Sequence, residues 1–320
     1  MSTPAICVLV TGSAGYLGSQ VVAALAARAD LRTVALDVRE PAPRLPGVAY
    51  EIADIRGSEV DAIVDRQRPE VVVHLASIVT PGRNSNREFE YSVDVGGARN
   101  LLEACVRHGV RRVIVSSSGA AYGYHPDNSE WLTESDPLRG NRTFAYAWHK
   151  RLVEEMLAEY RGKQPQLEQV IFRIGTILGA SVHNQITDLF EKPRLIAIRG
   201  SDSPFVFIHD RDVVGAIVRA IDSPVTGTFN VAGDGKLTIQ EIAGRLGKRC
   251  VVLPAGLLRF ALWMLKPLGL TQYGPEQIDF LRYRPVLDNR RLKEEFGYVP
   301  RLSSAEVFEL WRESHGSRLR

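Results

Sequence analysis

The sequence predicts an α/β chain, a doubly wound parallel sheet with a smaller C-terminal substrate-binding lobe, and three features carry the prediction. Six short runs rich in β-branched residues recur along the first two-thirds of the chain: ICVLV (6–10), TVALD (33–37), VVVHLA (71–76), RVIVSS (112–117), QVIFRI (169–174) and GTFNVA (227–232). Their hydrophobicity is nearly continuous rather than alternating, as in strands covered on both faces. Amphipathic stretches separate them, and strand–helix–strand repetition gives parallel pairing through right-handed crossovers.

The first strand runs into TGSAGYLG, which sets Gly12, Gly15 and Gly18 at three-residue intervals before a helix over Tyr16–Arg28. A pyrophosphate must approach backbone N–H groups at a helix N-terminus, and a Cβ at the turn would block it. The third glycine lets the helix lie close on the sheet. Asp37 ends the second strand, about twenty residues on, where a carboxylate accepts both ribose hydroxyls of a dinucleotide. Its charge disfavours a 2′-phosphate, so NAD is expected over NADP, a preference that Arg39 weakens slightly. Asp54 follows VAYEIA at the expected end of a third strand, near an adenine ring.

Two longer helices follow. Over Glu88–His108, Val93, Gly97, Leu101, Ala104 and Cys105 share a face; over Phe144–Tyr160, Leu152, Met156 and Leu157 do the same. The second opens with Tyr146-Ala-Trp-His-Lys150. Four-residue spacing puts phenol and ammonium on one face, about 5–6 Å apart between Cβ atoms. A phenol titrates near pH 10, too high for a base at neutral pH. A neighbouring cation and a positive nicotinamide ring are expected to lower that value, and Lys150 is also placed to bind the nicotinamide ribose. Ser116, Ser117 and Ser118 end the fourth long strand. Ser118 is expected to hold a substrate oxygen against Tyr146, with Ser117 the alternative. His149, three residues after Tyr146, is expected to face away from it.

After Arg173 the pattern loosens, and 176–205 and 235–285 do not read as strands of the main sheet. The expected division is therefore 1–175 plus about 206–234 for the dinucleotide domain, and about 176–205 and 235–320 for the smaller lobe. Within that lobe LLRFALWMLKPLG reads as a stripe packing the lobe, with a lid or a membrane-surface helix as alternatives. The apolar stretch Val251–Leu270 is interrupted by Arg259 and Lys266 and broken by Pro267, a poor membrane span. His209 and Asp210 open the helix DRDVVGAIVRAI and are expected to cap it. Glu134 and Asp136 lie in the loop before Tyr146, within reach of a substrate, although a polar loop needs no such explanation. Arg282, Arg284, Arg290 and Arg291 cluster late in the chain. Arg290 and Arg291 read as a solvated helix start after Asp288, whereas for Arg284 a clamp on a substrate anion is an equal alternative.

Composition narrows the class. A net charge of +3 and the lack of a Lys/Arg run give no nucleic-acid footprint. Cys7, Cys105 and Cys250 are odd in number, scattered and set among apolar residues, which reads as reduced thiols in a cytoplasm. No ligand spacing suggests a metal, and MSTPAICVLVTG lacks the basic start and cleavage site of a signal peptide. The expected partner is a small-molecule substrate, with neither nucleic acid nor membrane.

With these residues in place, nearly the whole chain resembles the extended short-chain dehydrogenase/reductase family, in its NAD-dependent epimerase/dehydratase branch. TGSAGYLG looks like the TGxxGxxG turn, and Asp37 and Asp54-Ile55 like the ribose and adenine contacts of a Rossmann fold. His74-Leu75-Ala76-Ser77 resembles HLAA, VDVGGARNLLEA resembles NVxGTxNLLEA, SSSGAAYG resembles SSxxxYG, and Tyr146 with Lys150 matches YxxxK. FIHDRDVV and FNVAGDG match segments near the end of the nucleotide fold. The resemblance implies a cofactor site of Gly12, Ala14, Gly15, Tyr16, Leu17, Gly18, Asp37, Asp54, Ile55, Leu75, Ala76, Ser77, Ser116, Tyr146 and Lys150. It implies catalysis by Tyr146, Lys150 and Ser118, and a homodimer paired through the helices near 88–108 and 144–160.

Three positions depart from the family pattern. Asp94 stands for the Asn of NVxG. Thr176 stands for the Asn of RxxNVYGP that contacts a sugar nucleotide in many relatives. Phe205 stands where a diphosphate-binding Arg often lies. The expected substrate side, Ser118, Thr176, Phe205 and Arg284, is therefore where this chain is its own. The first expectation is an epimerase or dehydratase working by tyrosine-assisted hydride transfer on a sugar nucleotide or related hydroxyl compound. The alternative is an NAD-dependent dehydrogenase or reductase of a non-nucleotide alcohol or ketone. A protein that senses NAD without catalysis is disfavoured by Tyr146, Lys150 and Ser118.

Overall fold

All six β-branched runs form strands of one sheet. The computed structural model describes residues 5–41, 43–79, 85–267, 274–275 and 277–316, so the end of LLRFALWMLKPLG lies outside the described residues. The strands are β1 (Ile6–Thr11), β2 (Leu31–Asp37), β3 (Val48–Ile52), β4 (Val71–His74), β5 (Arg112–Ser118), β6 (Glu168–Ile174), β7 (Thr176–Leu178), β8 (Arg194–Ile198), β9 (Phe207–His209), β10 (Gly227–Val231) and β11 (Arg249–Leu253). Seven of them form a parallel sheet in the order β10-β6-β5-β4-β1-β2-β3. The direction of winding reverses between β1 and β4. A crevice opens at such a reversal, outside the carboxyl ends of the strands.

The helices are α1 (Tyr16–Ala26), α2 (Glu59–Gln67), α3 (Arg87–Tyr91), α4 (Gly97–Arg107), α5 (Ala145–Lys163), α6 (Gln185–Glu191), α7 (Asp210–Asp222), α8 (Ile239–Arg245), α9 (Ala255–Leu265), α10 (Gln277–Arg282), α11 (Arg290–Glu294) and α12 (Ser304–Ser314). On one face of the sheet Val21, Val22 and Leu25 of α1 and Val213 and Ile217 of α7 pack on Val8, Val10, Val71 and Val73. On the other, α2, α4 and α5 bring Ile63, Leu101 and Leu157 onto Leu9, Val72 and Val113. Each such fully buried side chain contributes about 1.5–3 kcal/mol relative to exposure. This two-sided cover is why the strand runs are continuously apolar.

The smaller sheets β7–β9 and β8–β11 lie outside the main one. A separate apolar cluster holds them, built on Phe190, Phe205, Phe207, Phe308 and Trp311, with α8 and α12 supplying Ile242 and Val307. Asn184, Thr238 and Ser303 close capping boxes at the starts of α6, α8 and α12, the reciprocal bonds that end a loop and begin a helix.

Two expectations need correction. The helix foreseen over 88–108 is interrupted by a π turn at Ser92–Gly96, because one extra residue per turn rotates Asp94 inward and leaves the apolar spacing on either side intact. The stripe foreseen as packing the smaller lobe forms α9, none of whose residues is buried. Its apolar residues go all the way round, so one side of the helix faces solvent whatever the other side packs on.

Candidate active site

Where β1 gives way to α1, Gly12 sits at φ +70°, and a Cβ there would lie 2.6 Å from the Ala76 backbone nitrogen. A Cβ on Gly18 would run into the Gly12 carbonyl. Only glycine lets the turn press against both the loop after β4 and the first turn of α1. Gly15 begins α1 without a side-chain cap, and no acidic residue occupies the first turn. The positive end of the helix therefore faces the crevice uncompensated.

The Asp37 carboxylate is buried beneath this turn. It accepts from Ala14 N at 2.9 Å and from Arg39 N at 3.0 Å, with Arg39 Nε at 3.3 Å. The carboxylate thus fixes the glycine turn as well as marking the strand end. Asp54 is tied to Arg56 by a two-point ion pair, which holds its carboxyl below the usual carboxylate range. Ile55 is buried, its side chain directly against Gly97. Asp54 and Ile55 do not line the cavity, nor do Ala14, Asp37 and Ala76, in contrast to the other expected cofactor residues.

That cavity, about 750 Å³, is lined by Gly12, Gly15, Tyr16, Leu17, Gly18, Leu75, Ser77, Ser116, Ser117, Ser118, Tyr146 and Lys150, and on its far side by Thr176, Phe205 and Arg284. Tyr16 is turned by a short hydrogen bond to Asp210, and its phenol is pushed up to about 12 by burial and that carboxylate. Asp210, with His209, is expected from the sequence to cap the helix and also to support the cofactor domain. His209 is indeed the residue before α7, accepting from Arg211 N, while Asp210 bridges α7 to the glycine turn.

Tyr146 and Lys150 share one face of α5. Lys150 Nζ lies 5.6 Å from the Tyr146 ring centre and donates to the Ser116 carbonyl at 2.8 Å. The Ser118 hydroxyl accepts from Ala120 N at 3.1 Å and lies near enough to the phenol to pull its pKa down. Ser117 turns the other way and donates to buried Glu154 at 2.5 Å, so Ser118 and not Ser117 meets Tyr146. The expected acidification of the phenol by Lys150 is not what the structure contains. Burial pushes the Tyr146 phenol up to about 12, with Ser118 pulling down and Asp94 pushing further up. The ammonium sits against the ring and a carbonyl, and burial lowers its own pKa.

One pairing near Tyr146 was missed. Asp94, turned inward by the π turn, accepts from Ser77 Oγ at 3.0 Å and Ile78 N at 2.8 Å and meets His149 Nδ1 at 2.9 Å. The only signal was the departure of Asp94 from the family pattern, together with a histidine inside the YxxxK span. His74, at the end of β4, is buried with Nδ1 2.8 Å from Thr11 Oγ1. Burial, with Lys150 nearby, lowers its pKa to about 4.

On the substrate side, Arg284 lies 4.0 Å over the Phe205 ring and 4.2 Å over Phe280. Its Nε and Nη2 are buried with no hydrogen-bond partner among the described residues, and burial lowers its pKa to about 10. Glu134 and Asp136 do not reach the cavity. Glu134 accepts from Asn230 N, and Asp136 holds the Thr133 turn. Arg290 pairs with Asp288 and Arg291 with Glu295, away from the cavity, as a solvated helix start requires. Among the described residues no group of three His, Cys, Asp or Glu side chains is arranged to hold a metal, and no helix is long and apolar enough to cross a membrane.

A dinucleotide fits this arrangement. A cradle that a Cβ would fill takes the pyrophosphate, the open N-terminus of α1 faces it, and a carboxylate waits at the end of β2. The cavity then continues to Tyr146. The family model described as NAD dependent epimerase/dehydratase family matches residues 8–232. An uncharacterized protein of Mycobacterium bovis is 28% identical over 314 residues, covering 94% of this chain and 82% of that protein. Sterol demethylase protein B of Methylococcus capsulatus is 28% identical over 338 residues, covering 95% and 98%. Among solved structures, UDP-glucose 4-epimerase of Thermus thermophilus in complex with NAD is 26% identical, with a TM-score of 0.73 and coverage of 97% of this chain and 98% of that one.

Proposed function

The chain belongs to the NAD-dependent epimerase/dehydratase family and is an NAD-dependent extended short-chain dehydrogenase/reductase, and from that premise we propose that Tyr146 moves the proton of a substrate hydroxyl in a hydride-transfer reaction. The observation that carries this reading is the meeting of Tyr146 and Ser118 in the same cavity that begins at the glycine turn. NAD, when bound, supplies a hydride acceptor at nicotinamide C4. Ser118 would hold the substrate oxygen, and Tyr146 Oη, having lost its own proton to solvent under the positive nicotinamide ring and the Lys150 ammonium, would take the substrate's proton as the carbon is oxidised to a ketone. Lys150, anchored on the Ser116 carbonyl, presents its ammonium to the nicotinamide ribose and keeps the tyrosine face of α5 in place. Gly12, Gly15 and Gly18 receive the pyrophosphate and Asp37 the ribose.

Return of the hydride to the other face of the ketone would make the reaction an epimerisation, and loss of water before return would make it a dehydration. A sugar nucleotide or related hydroxyl compound is the substrate class on this first reading. One observation favours a second reading, simple oxidation or reduction of a non-nucleotide alcohol or ketone. Phe205 and Thr176 line the far wall, so that wall offers a sugar nucleotide neither an Arg nor an Asn at these positions. Turnover with added NAD separates the two. Product isomerisation without net absorbance change at the NADH band supports the first, and stoichiometric NADH supports the second. Full turnover by a Tyr146→Phe variant contradicts both.

We assign 1–175 and about 206–234 to cofactor binding, and about 176–205 and 235–320 to the substrate. The separate apolar cluster around Phe190 and Trp311 supports that division. A homodimer would use the outer faces of α3–α4 and α5, where Phe89 and Tyr91 are exposed; sedimentation of a Tyr91→Glu variant tests it. Scattered free cysteines suit a cytoplasmic enzyme.

A further inference from the structure

On α9, Leu258, Ala261 and Leu262 are half-buried, whereas Leu257, Phe260, Trp263 and Met264 point outward and are 48–63% exposed. A surface helix ordinarily carries polar residues on that side. The Phe260 and Trp263 rings stack in the open, 6.0 Å between centres. The helix leaves directly from β11, where Val252 is exposed as well.

The chain segments that build this surface are themselves basic. Residues 192–199 and 245–266, which contain β8, β11 and α9, carry eight Lys or Arg and no Asp or Glu, in a chain that holds 40 of one and 37 of the other. Glu309 and Asp279 from elsewhere pair with Arg245 and Arg259. Lys192, Arg194, Arg199 and Arg249 are exposed as well, so these segments remain basic.

We infer that α9 docks this enzyme on the surface of an anionic lipid bilayer, with Leu257, Phe260, Trp263 and Met264 at the boundary of headgroups and acyl chains and the basic rim on the headgroups. An 11-residue helix is about 16 Å long against a hydrocarbon core of about 30 Å, so it lies in the plane and does not span. An apolar face with tryptophan and a Lys/Arg border is the composition that binds there. A second copy does not suit the face, since a two-fold contact would bring two basic rims together. This departs from the sequence expectation of no membrane partner and takes up the membrane-surface helix kept there as an alternative. Docking also has a consequence for the cavity. Arg259 of α9 pairs with Asp279 of α10 at 2.6 Å, and α10 supplies Phe280 to the cavity wall, so the bound surface lies one helix away from the substrate.

The test uses the full chain with large vesicles of phosphatidylcholine, alone or mixed equally with phosphatidylglycerol. Anionic vesicles should bind it about tenfold or more better than neutral ones, less so at high salt. A Phe260→Glu/Trp263→Glu variant should lose that binding by about tenfold or more while its melting temperature and NAD affinity stay unchanged. Bromine-labelled lipid should quench the wild type, and most of that quenching should vanish in Trp263→Phe, which still binds. The inference is overturned by failure to bind anionic vesicles, by equal binding of the double variant, or by an undiminished bromine effect in Trp263→Phe. It is equally overturned if the double substitution dissolves an oligomer of a protein that ignores vesicles.

Discussion

Asp94 and His149 meet at 2.9 Å with each side chain only 3% exposed. The same carboxylate holds Ser77 and the backbone of Ile78, so it links the loop after β4 to the helix that carries Tyr146 and Lys150. Both ends of that link border the cavity. Asp94 also adds negative charge near the Tyr146 phenol, raising its pKa.

Replacing Asp94 by Asn keeps an oxygen for Ile78 and removes the charge. The variant should fold with a loss of under about 2 kcal/mol, whereas Asp94→Ala, which leaves buried His149 and the part-buried Ser77 and Ile78 without their partner, should lose about 3 kcal/mol or more. Because the charge holds the phenol up, its removal lowers the phenol pKa. The rise of kcat/KM with pH should then move to lower pH in Asp94→Asn. A profile that does not move contradicts an effect of Asp94 on Tyr146.

Tyr146→Phe should reduce kcat by a factor of about 10²–10⁴, the usual contribution of a positioned acid or base. NAD affinity by calorimetry should change little, since glycine-turn contacts are untouched. Ser118→Ala should show a smaller loss of the same kind.

His74 makes stability acid-sensitive. Its folded pKa of about 4 lies below the ordinary value near 6.5, so the unfolded chain binds the proton first. The stabilisation is complete above pH 6.5 and disappears as pH falls toward 4, a change on the order of 3 kcal/mol. Denaturant titrations across that range should show the slope in the wild type and a flatter one in His74→Asn.

Arg284 sits between two phenyl rings with Nε and Nη2 unpartnered. Arg284→Met should change stability by less than about 1 kcal/mol, because relief of a buried charge offsets the lost cation–π contacts. The KM for a substrate bearing an anionic group should rise about tenfold or more, as expected for loss of a charge-assisted contact. An unchanged KM would remove Arg284 from the substrate site.

Gly12→Ala puts a methyl 2.6 Å from the Ala76 nitrogen at φ +70°. The expected result is NAD binding weakened by about tenfold or more and stability lower by about 1–3 kcal/mol. Wild-type NAD affinity in that variant would show that the turn does not seat the pyrophosphate.

The sheet and the glycine turn were legible because both depend on local pattern. Runs such as ICVLV admit few alternatives when flanked by amphipathic helices, and Gly12, Gly15 and Gly18 stand in a fixed relation to β1. Tyr146 and Lys150 were legible for the same reason, being four apart on one helix. The direction of the phenol shift was not. It is set by packing from distant segments, since Tyr124 and Phe280 cluster around the ring, and sequence spacing carries no measure of burial. The π turn escaped because apolar residues keep helical spacing on both sides of it. The stacking of Arg284 on Phe205 joins positions 79 residues apart, so an expected loss of one arginine could not be matched to the placement of another. The exposed side of α9 escaped because an all-apolar stretch reads as buried from any side.

Ser117, Glu154, Arg173, Tyr122 and Asn230 form one buried chain of hydrogen bonds across β5, α5, β6 and β10. Each member holds another, so a change at one loosens the platform on which Ser118, Tyr146 and Lys150 stand. Part of the far wall is tied to it, since Val206, Val286 and Leu287 pack with Tyr122 and Phe280 packs with Tyr146. Anyone reprogramming this enzyme for a different alcohol can therefore leave β5, α5, β6 and those four residues alone and diversify Thr176, His183, Gln185, Ile186 and Pro204, which line the cavity outside these two clusters.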